Sequence, residues 1–546
     1  MELYQKEDIT LLLDKWPSIM EEVDNEKLKL FEPTLDEMKK VQNTIIDFIK
    51  ENKRKVYGGF ALNMLISDKN PNDGFYKSEK APADVDFYSP EPITDLIKLC
   101  NILHEKGYKY VLGREAQHEE TYSIRVNLAL YCDITYVPRN IYNKMPFKEL
   151  NGLHLIGPHF MTIDYLRMMT DPMISYWRFD GNLKGFRRYY LLQKYYPLPH
   201  NNKSLSLQKN PPTISSALNT IFKFLQNKKT MLVCGFYAYN YFLHESGILN
   251  EKSKIFKHVD IPYFDIISTN YRDDCLELIQ SLKDNKEINK DDVNYTEYYP
   301  FFQFTGHSVE IKLKNEILVK IFTNNKKCIP YIDVPTLQFF DTEKPKKINN
   351  SFVRICTFPV VTLQLLIGVI KFRTNGDEDM KQLYYTMISH LIEMRNYYLT
   401  TNNKTFLDDS VFKEFIVNCA GDTMTPDRQR ILAQEGKKKK IIFQYRPEDK
   451  LREPESTYKF ANSSGNPISY EKNLRLSNFF YDETDEDAEA DITDSSDSVD
   501  KSKKTSRSKK ESKKESKKGS KKGSKKESKK GSSQKTSDYT DITSDE

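Results

Sequence analysis

A chain of 546 residues is too long for one small module and has room for two or three domains. With 38% apolar residues, 34 Tyr and 31 Phe it can build a sizeable core, and its seven scattered cysteines, never spaced C-x-x-C, predict free thiols in a reducing compartment rather than a zinc knuckle or a disulfide framework. The net charge of +5 hides a segregation near the end: residues 482–500 carry ten acids and no base, and residues 501–535 carry seventeen bases and three acids.

Taken in chain order, the first apolar run, Ile9 to Leu13, is split by Thr10 and is too short for a signal sequence or a membrane span. Ile45, Ile46, Phe48 and Ile49 then mark an amphipathic helix, Arg54 to Tyr57 a short strand, Gly58-Gly59 a turn, and the residues to Ile66 a second helix. The same order returns later. Leu218, Ile221, Phe222 and Leu225 form a helix, Thr230 to Val233 a strand, Cys234-Gly235 a turn and Tyr237 to Leu243 a helix. Phe48 to Gly59 and Phe224 to Gly235 both span eleven residues, which sets Cys234 against Gly58. Asp86-Phe87-Tyr88-Ser89 is answered by Asp265-Ile266-Ile267-Ser268, and Tyr189-Tyr190-Leu191 by Tyr397-Tyr398-Leu399. Three matches in one order predict tandem copies of an α/β (α+β) unit. Pro359 to Ile370 reads as a buried helix. The expected division is a first domain at 1–200 with an N-terminal helical extension, a second at 201–450, an irregular extension at 451–481, and a disordered acidic then Lys/Ser-rich tail at 482–546, whose Lys-Lys-Glu-Ser and Lys-Lys-Gly-Ser repeats offer no apolar face to bury.

The sharpest chemical feature is Ala83-Asp84-Val85-Asp86-Phe87. In an extended strand the period of two sets Asp84 and Asp86 on one face, about 6.5 to 7 Å apart at Cα, with Val85 opposite. Asp133 is the odd acid on a strand whose Leu130, Cys132, Ile134 and Tyr136 share the other face. Three carboxylates on neighbouring strands offer the hard oxygen ligands that Mg²⁺ prefers, and a pair of such ions can clamp both oxygens of a phosphoryl displacement. Gly58-Gly59 opening a helix lets the backbone approach a triphosphate and presents free N–H groups to it.

A Gly-Gly turn before a helix, a strand D-x-D and a lone acid on a later strand resemble the polymerase-β-type nucleotidyltransferase superfamily. Phe60 stands where that superfamily often has Ser, and the spacer Ser67 to Pro82 is long for it. The stretches Tyr57-Gly-Gly-Phe-Ala-Leu-Asn63, Ala83-Asp-Val-Asp-Phe87, Tyr131-Cys-Asp-Ile-Thr135, and Trp177-Arg178 with Arg187-Arg188-Tyr189-Tyr190 are similar to the poly(A) polymerase catalytic subunits of large cytoplasmic DNA viruses, poxvirus-like and giant-virus-like. The resemblance implies tandem nucleotidyltransferase-like domains, the second degenerate, and a template-independent polymerase that adds AMP from ATP to RNA 3′ ends. It implies two Mg²⁺ or Mn²⁺ ions on Asp84, Asp86 and Asp133 as catalytic and metal residues, and nucleotide contacts at Gly58, Gly59 and Asn63. It further implies a homodimer or a processivity subunit as partner, no membrane, and a place in the host cytoplasm or virus factory, or in the virion.

Arg178, Lys184, Arg187 and Arg188, interleaved with Trp177, Tyr189, Tyr190 and Tyr195 on one helical stretch, mix cations for phosphates with rings for stacking. Arg178 and Lys184 are expected at the nucleotide, and Arg187, Arg188 and Tyr189 at the RNA. In the second copy Tyr263 replaces Asp84 and Lys320 replaces Asp133, and an ammonium there repels a metal ion, so that copy is expected to be inactive. The Lys-rich tail would draw RNA by counterion release. Two other readings remain open on the sequence: transfer of another nucleotide or to another acceptor, and a non-catalytic RNA-binding scaffold.

Overall fold

A computed structural model describes residues 3–30, 33–76, 82–116, 118, 120–175, 180–340, 345–422, 428, 443–449 and 460–468. The tail expected at 482–546, and Trp177 and Arg178, lie outside the described residues.

Helix α1 (Lys6–Leu30) leaves Ile9, Leu12, Trp16, Ile19 and Val23 exposed, spaced by alternating intervals of three and four residues. Helix α2 (Leu35–Glu51) is the first element of the core: the Thr34 hydroxyl accepts the Glu37 N–H at its start, and Val41, Ile45, Phe48 and Ile49 line its buried face. The first half continues through β1 (Lys55–Val56), α3 (Gly58–Lys69), β2 (Phe87–Ser89), α4 (Pro92–Glu105), β3 (Leu112–Glu115), β4 (Thr121–Val126), β5 (Ala129–Tyr136), α5 (Arg139–Lys144), β6 (Phe147–Leu150), β7 (Leu153–Ile156), α6 (Pro158–Met169), α7 (Pro172–Ser175) and α8 (Asp180–Tyr195). The second half runs α9 (Pro212–Leu225), β8 (Met231–Cys234), α10 (Gly235–Ser246), β9 (Phe264–Ser268), α11 (Tyr271–Asp284), β10 (Val293–Tyr298), β11 (Ser308–Leu313), β12 (Glu316–Thr323), β13 (Ile329–Gln338), β14 (Lys346–Cys356), α12 (Phe358–Asn375) and α13 (Glu378–Thr401), followed by β15 (Cys419–Ala420) and β16 (Gln444–Tyr445).

Two mixed sheets result, ordered β16-β3-β4-β5-β2-β1-β7-β6 and β10-β11-β12-β9-β8-β14-β13-β15. Strip the end strands β16 and β15, and the two orders are the same when strands are numbered within each half. The parallel pairs also coincide, β2 with β5 and β1 with β7 in one, β9 with β12 and β8 with β14 in the other. Side chains repeat with the topology. At the start of the helix that follows the second strand, a Ser hydroxyl on the strand donates to a buried helix Asp, Ser89 to Asp95 and Ser268 to Asp274. A base from the connection before the first strand completes each unit: Arg54 Nη2 lies 2.8 Å from Asp95, and Lys228 Nζ lies 3.1 Å from Asp274. Such a buried carboxylate is tolerable because each oxygen has a donor.

The register corrects one correspondence. Val56 pairs with Phe87, and Val233 with Ile266, so Gly58 answers to Gly235, and Cys234 to Tyr57, the residue before the helix. Both glycines have positive φ, +72° and +58°. Counting from the preceding helix misaligned them because the connectors differ in length, 52–54 against 226–230. The expectation of free thiols is also corrected: Cys328 and Cys419 form a disulfide across 91 residues, brought together where β15 pairs with β13. Their wide separation hid the pairing. The segment expected to be irregular (451–481) contains an ordered stretch, 460–468, which bridges to Tyr298 and Phe301 and stacks Phe460 on Tyr136. Among the described residues no helix is long and apolar enough to cross a membrane.

Candidate active site

Asp84 and Asp86 lie in an extended segment just before β2 rather than within it, but the alternation holds. Val85 is fully buried between an exposed Asp84 and a half-buried Asp86. The segment is pinned on both sides, by the Val85 N–H to the Tyr131 carbonyl (2.9 Å) and by the Tyr57 N–H to the Asp86 carbonyl (2.9 Å). Asp133 on β5 faces Ser123 on β4, whose hydroxyl donates to Asp133 Oδ1 at 2.6 Å. The Asp133 N–H in turn donates to Asp86 Oδ1 (3.2 Å). Asp86 and Asp133 therefore meet above the β1–α3 turn, with Asp84 near enough for its charge to act on both.

Gly58 makes that meeting possible. A Cβ built on it would come within 2.9 Å of Asp86 Oδ2, so the carboxylate rests against bare backbone at the head of α3. Gly59 is as tightly covered: its Cβ would lie 2.5 Å from the Tyr76 hydroxyl and 2.9 Å from Arg188 Nη1. Arg188 comes from α8, donates to the Tyr76 hydroxyl (3.0 Å) and lies over the Phe75 ring. Asn63 Oδ1 accepts the N–H groups of both Phe75 and Tyr76, so this side chain holds the loop that carries Tyr76.

The electrostatics follow from crowding. Burial pushes the Asp86 carboxyl well above the ordinary range, and the nearby charges of Asp84 and then Asp133 push it further. Asp133 is raised too, first by burial and then by Asp84, against the lowering effects of the Ser123 hydrogen bond and the Arg125 charge. Among the described residues no three such side chains are closed into a metal cage. The donor set nonetheless fits a hard divalent cation: the Asp84 charge raises the proton affinity of both Asp86 and Asp133, and an ion beside them would relieve that repulsion.

Of the other expected contacts, Lys184 and Arg187 are exposed on α8, while Arg188 points to the Gly59 turn. Tyr189 is buried and stacks on Tyr165 with ring centroids 5.6 Å apart, so its ring is committed to the core instead of to a base of RNA. Ser123 and Tyr76 were not anticipated. Ser123 is detectable only through its cross-strand register, and Tyr76 falls in the long spacer.

One protein-family model, described as Poly(A) polymerase catalytic subunit, matches residues 43–175, and a second, for the C-terminal part of the APMV poly(A) polymerase catalytic subunit, matches residues 191–478. A relative from Acanthamoeba polyphaga mimivirus, named as a poly(A) polymerase catalytic subunit, is 35% identical over 503 residues, covering 86% of this chain and 84% of its own. The chain belongs to the viral poly(A) polymerase catalytic-subunit family. Within that family the African swine fever virus protein (strain Badajoz 1971 Vero-adapted) is 30% identical over 166 residues, 30% of this chain and 34% of its own. The crystal structure of the Megavirus polyadenylate synthase superposes with a TM-score of 0.76 at 35% identity, covering 87% of this chain and 94% of that one. The expected likeness to these polymerases is thus met over most of the chain, and the duplicated α/β architecture belongs to the family fold.

Proposed function

We propose that the carboxylate cluster of the first half is the catalytic centre of a template-independent poly(A) polymerase, which adds AMP from ATP to the 3′ end of RNA. The adenylyltransferase class follows from family membership. The observation that supports the site is the close contact of Asp86 with both the Gly58 backbone and the Asp133 N–H, which joins two of the three acids at a helix N-terminus suited to phosphate.

Asp84, Asp86 and Asp133 would hold two Mg²⁺ or Mn²⁺ ions, which when bound acidify the RNA 3′-hydroxyl and neutralise the departing pyrophosphate. The chain's own groups do the rest. The Gly58–Gly59 turn and the head of α3 receive the triphosphate, and Arg188, held by Tyr76, adds a charge-assisted contact there. Ser123 fixes the rotamer of Asp133, and Asp133 accepts the 3′-hydroxyl proton. Lys184 and Arg187, exposed on the same helix, serve the RNA backbone.

The reading includes a second copy of the chain as partner, supported by the α1 stripe, whose three-four spacing is that of a coiled-coil seam. It also includes a place in the host cytoplasm or virus factory. The test replaces Asp84 and Asp86 together by Ala and measures ATP incorporation into an oligo(A) primer with Mg²⁺ or Mn²⁺, beside the other three nucleotides. Loss of incorporation and a preference for ATP are expected. Retained incorporation overturns the site, and equal use of all four nucleotides overturns the adenylate specificity.

A further inference from the structure

The second half has lost two of the three carboxylates but not the space. A cavity of about 360 Å³ lies at the position equivalent to the first-half cluster, within the range of about 300 to 1,000 Å³ usual for small-molecule sites. Its wall includes Asp265, the counterpart of Asp86, and Lys320, which the strand register sets at the place of Asp133. Glu310, Lys371, Tyr298 and Phe372 also line it, and residues 465–467 lie along one side.

The charges do not cancel. Glu310 is already satisfied within the chain, by the Tyr298 hydroxyl (2.7 Å) and by Lys312 Nζ (3.3 Å). Lys320 and Lys371 face both Asp265 and Glu310, and with Lys312 beside Glu310 three ammonium groups stand against two carboxylates. Lys320 Nζ sits 4.2 Å from the Tyr263 ring centroid and Lys371 Nζ 4.8 Å from that of Tyr298, and among the described residues neither has a carboxylate within ion-pair distance. Burial raises Asp265 only to about 6, because Lys320 counteracts it, so the carboxylate is charged at neutral pH, and the group of Lys312, Lys320 and Lys371 with Asp265 and Glu310 keeps one positive charge in excess. A phosphate balances that excess, and the rings offer faces to a base.

We propose that this cavity is a second nucleotide site, in which Lys320 and Lys371 receive the phosphate without a divalent metal ion and Tyr298 and Phe372 flank the base. Lys320 stands where the first half has a metal-binding carboxylate, so the cation that the phosphate needs is built into the chain. The occupant is a free adenine nucleotide or the terminal nucleotide of an RNA, which share this chemistry. The inference does not depend on the first-half acids being catalytic.

Calorimetric titration of the full-length protein in EDTA with ATP, AMP and oligo(A) tests it. Expected is one metal-independent ligand per chain, unchanged in the Asp84→Ala/Asp86→Ala variant and weakened at least tenfold by Lys320→Met and by Lys371→Met. Ile317→Trp, which fills the cavity and leaves its charges alone, should weaken binding as strongly. It carries the test if a lysine variant lowers the melting temperature enough to indicate misfolding. Binding of the mononucleotides identifies free nucleotide as the occupant, and binding of oligo(A) alone identifies the RNA end. Failure of all three to bind in EDTA, or binding that survives both Lys371→Met and Ile317→Trp, overturns the proposal, whatever the polymerase assay shows.

Discussion

Gly58 and Asp86 set the terms at the scale of single residues. Gly58 combines a φ of +72° with a carboxylate at Cβ distance, so Gly58→Ala costs about 1 to 2 kcal/mol in backbone strain and also displaces Asp86. We expect primer extension to fall far more than stability, measured by comparing kcat/KM with the midpoint of urea unfolding. Asp86 carries the opposite conflict. Its carboxyl is raised in the folded state, so between the unfolded and folded pKa values the native protein binds more protons than the unfolded chain, and stability falls as pH rises through that window. Asp86→Asn should therefore melt higher than wild type without metal at neutral pH, and Mn²⁺ should stabilise only the wild type. Scanning calorimetry with and without the ion decides this. The three acids and two glycines were legible in the sequence because strand alternation and a turn before a helix are local signals. Ser123 and Tyr76 were not, since what recruits them is cross-strand register and the packing of a long spacer.

Helix α8 shows how one element divides its labour by face. Arg188 turns inward to the Gly59 turn, while Lys184 and Arg187 turn outward, although all three read alike as basic residues among tyrosines. Arg188→Ala should lower kcat/KM for ATP about 100- to 1,000-fold, the scale for removing one preorganised donor to developing charge. Arg187→Ala should leave ATP use intact and reduce the salt dependence of RNA binding. Tyr189→Ala should cost about 3 kcal/mol of stability, as truncation of a buried aromatic does, with RNA affinity per folded molecule unchanged. Composition could not separate Tyr189 from the exposed Tyr190, because only the packing of α8 on α6 decides which ring is covered. For α1, Trp16→Asp with Ile19→Asp should reduce the mass seen by light scattering to that of one chain.

The duplication was readable at the scale of the whole molecule because both halves retain the same order of helix, turn and acid-bearing strand. The disulfide and the returning C-terminal segment were not, since both join parts of the chain far apart in sequence. Two half-buried histidines weaken the fold on the acid side. Burial lowers His258 to about 4, helped by His244, and lowers His307 to about 4. Both stay neutral in the folded state while the unfolded chain gains protons below about 6.5, so stability is lost as pH falls from there towards 4. His258→Gln should flatten part of that loss in melting curves between pH 7 and 5. Finally, β16 arrives from beyond the second half to cover the edge of β3 in the first sheet, pairing Gln444 with Arg114 and Tyr445 with Gly113. A fragment cut between the halves would leave that edge bare and prone to strand-to-strand aggregation. The two lobes are thus sewn into one unit of inheritance, and recombination that swaps only the N-terminal lobe must carry its distant stitch along with it.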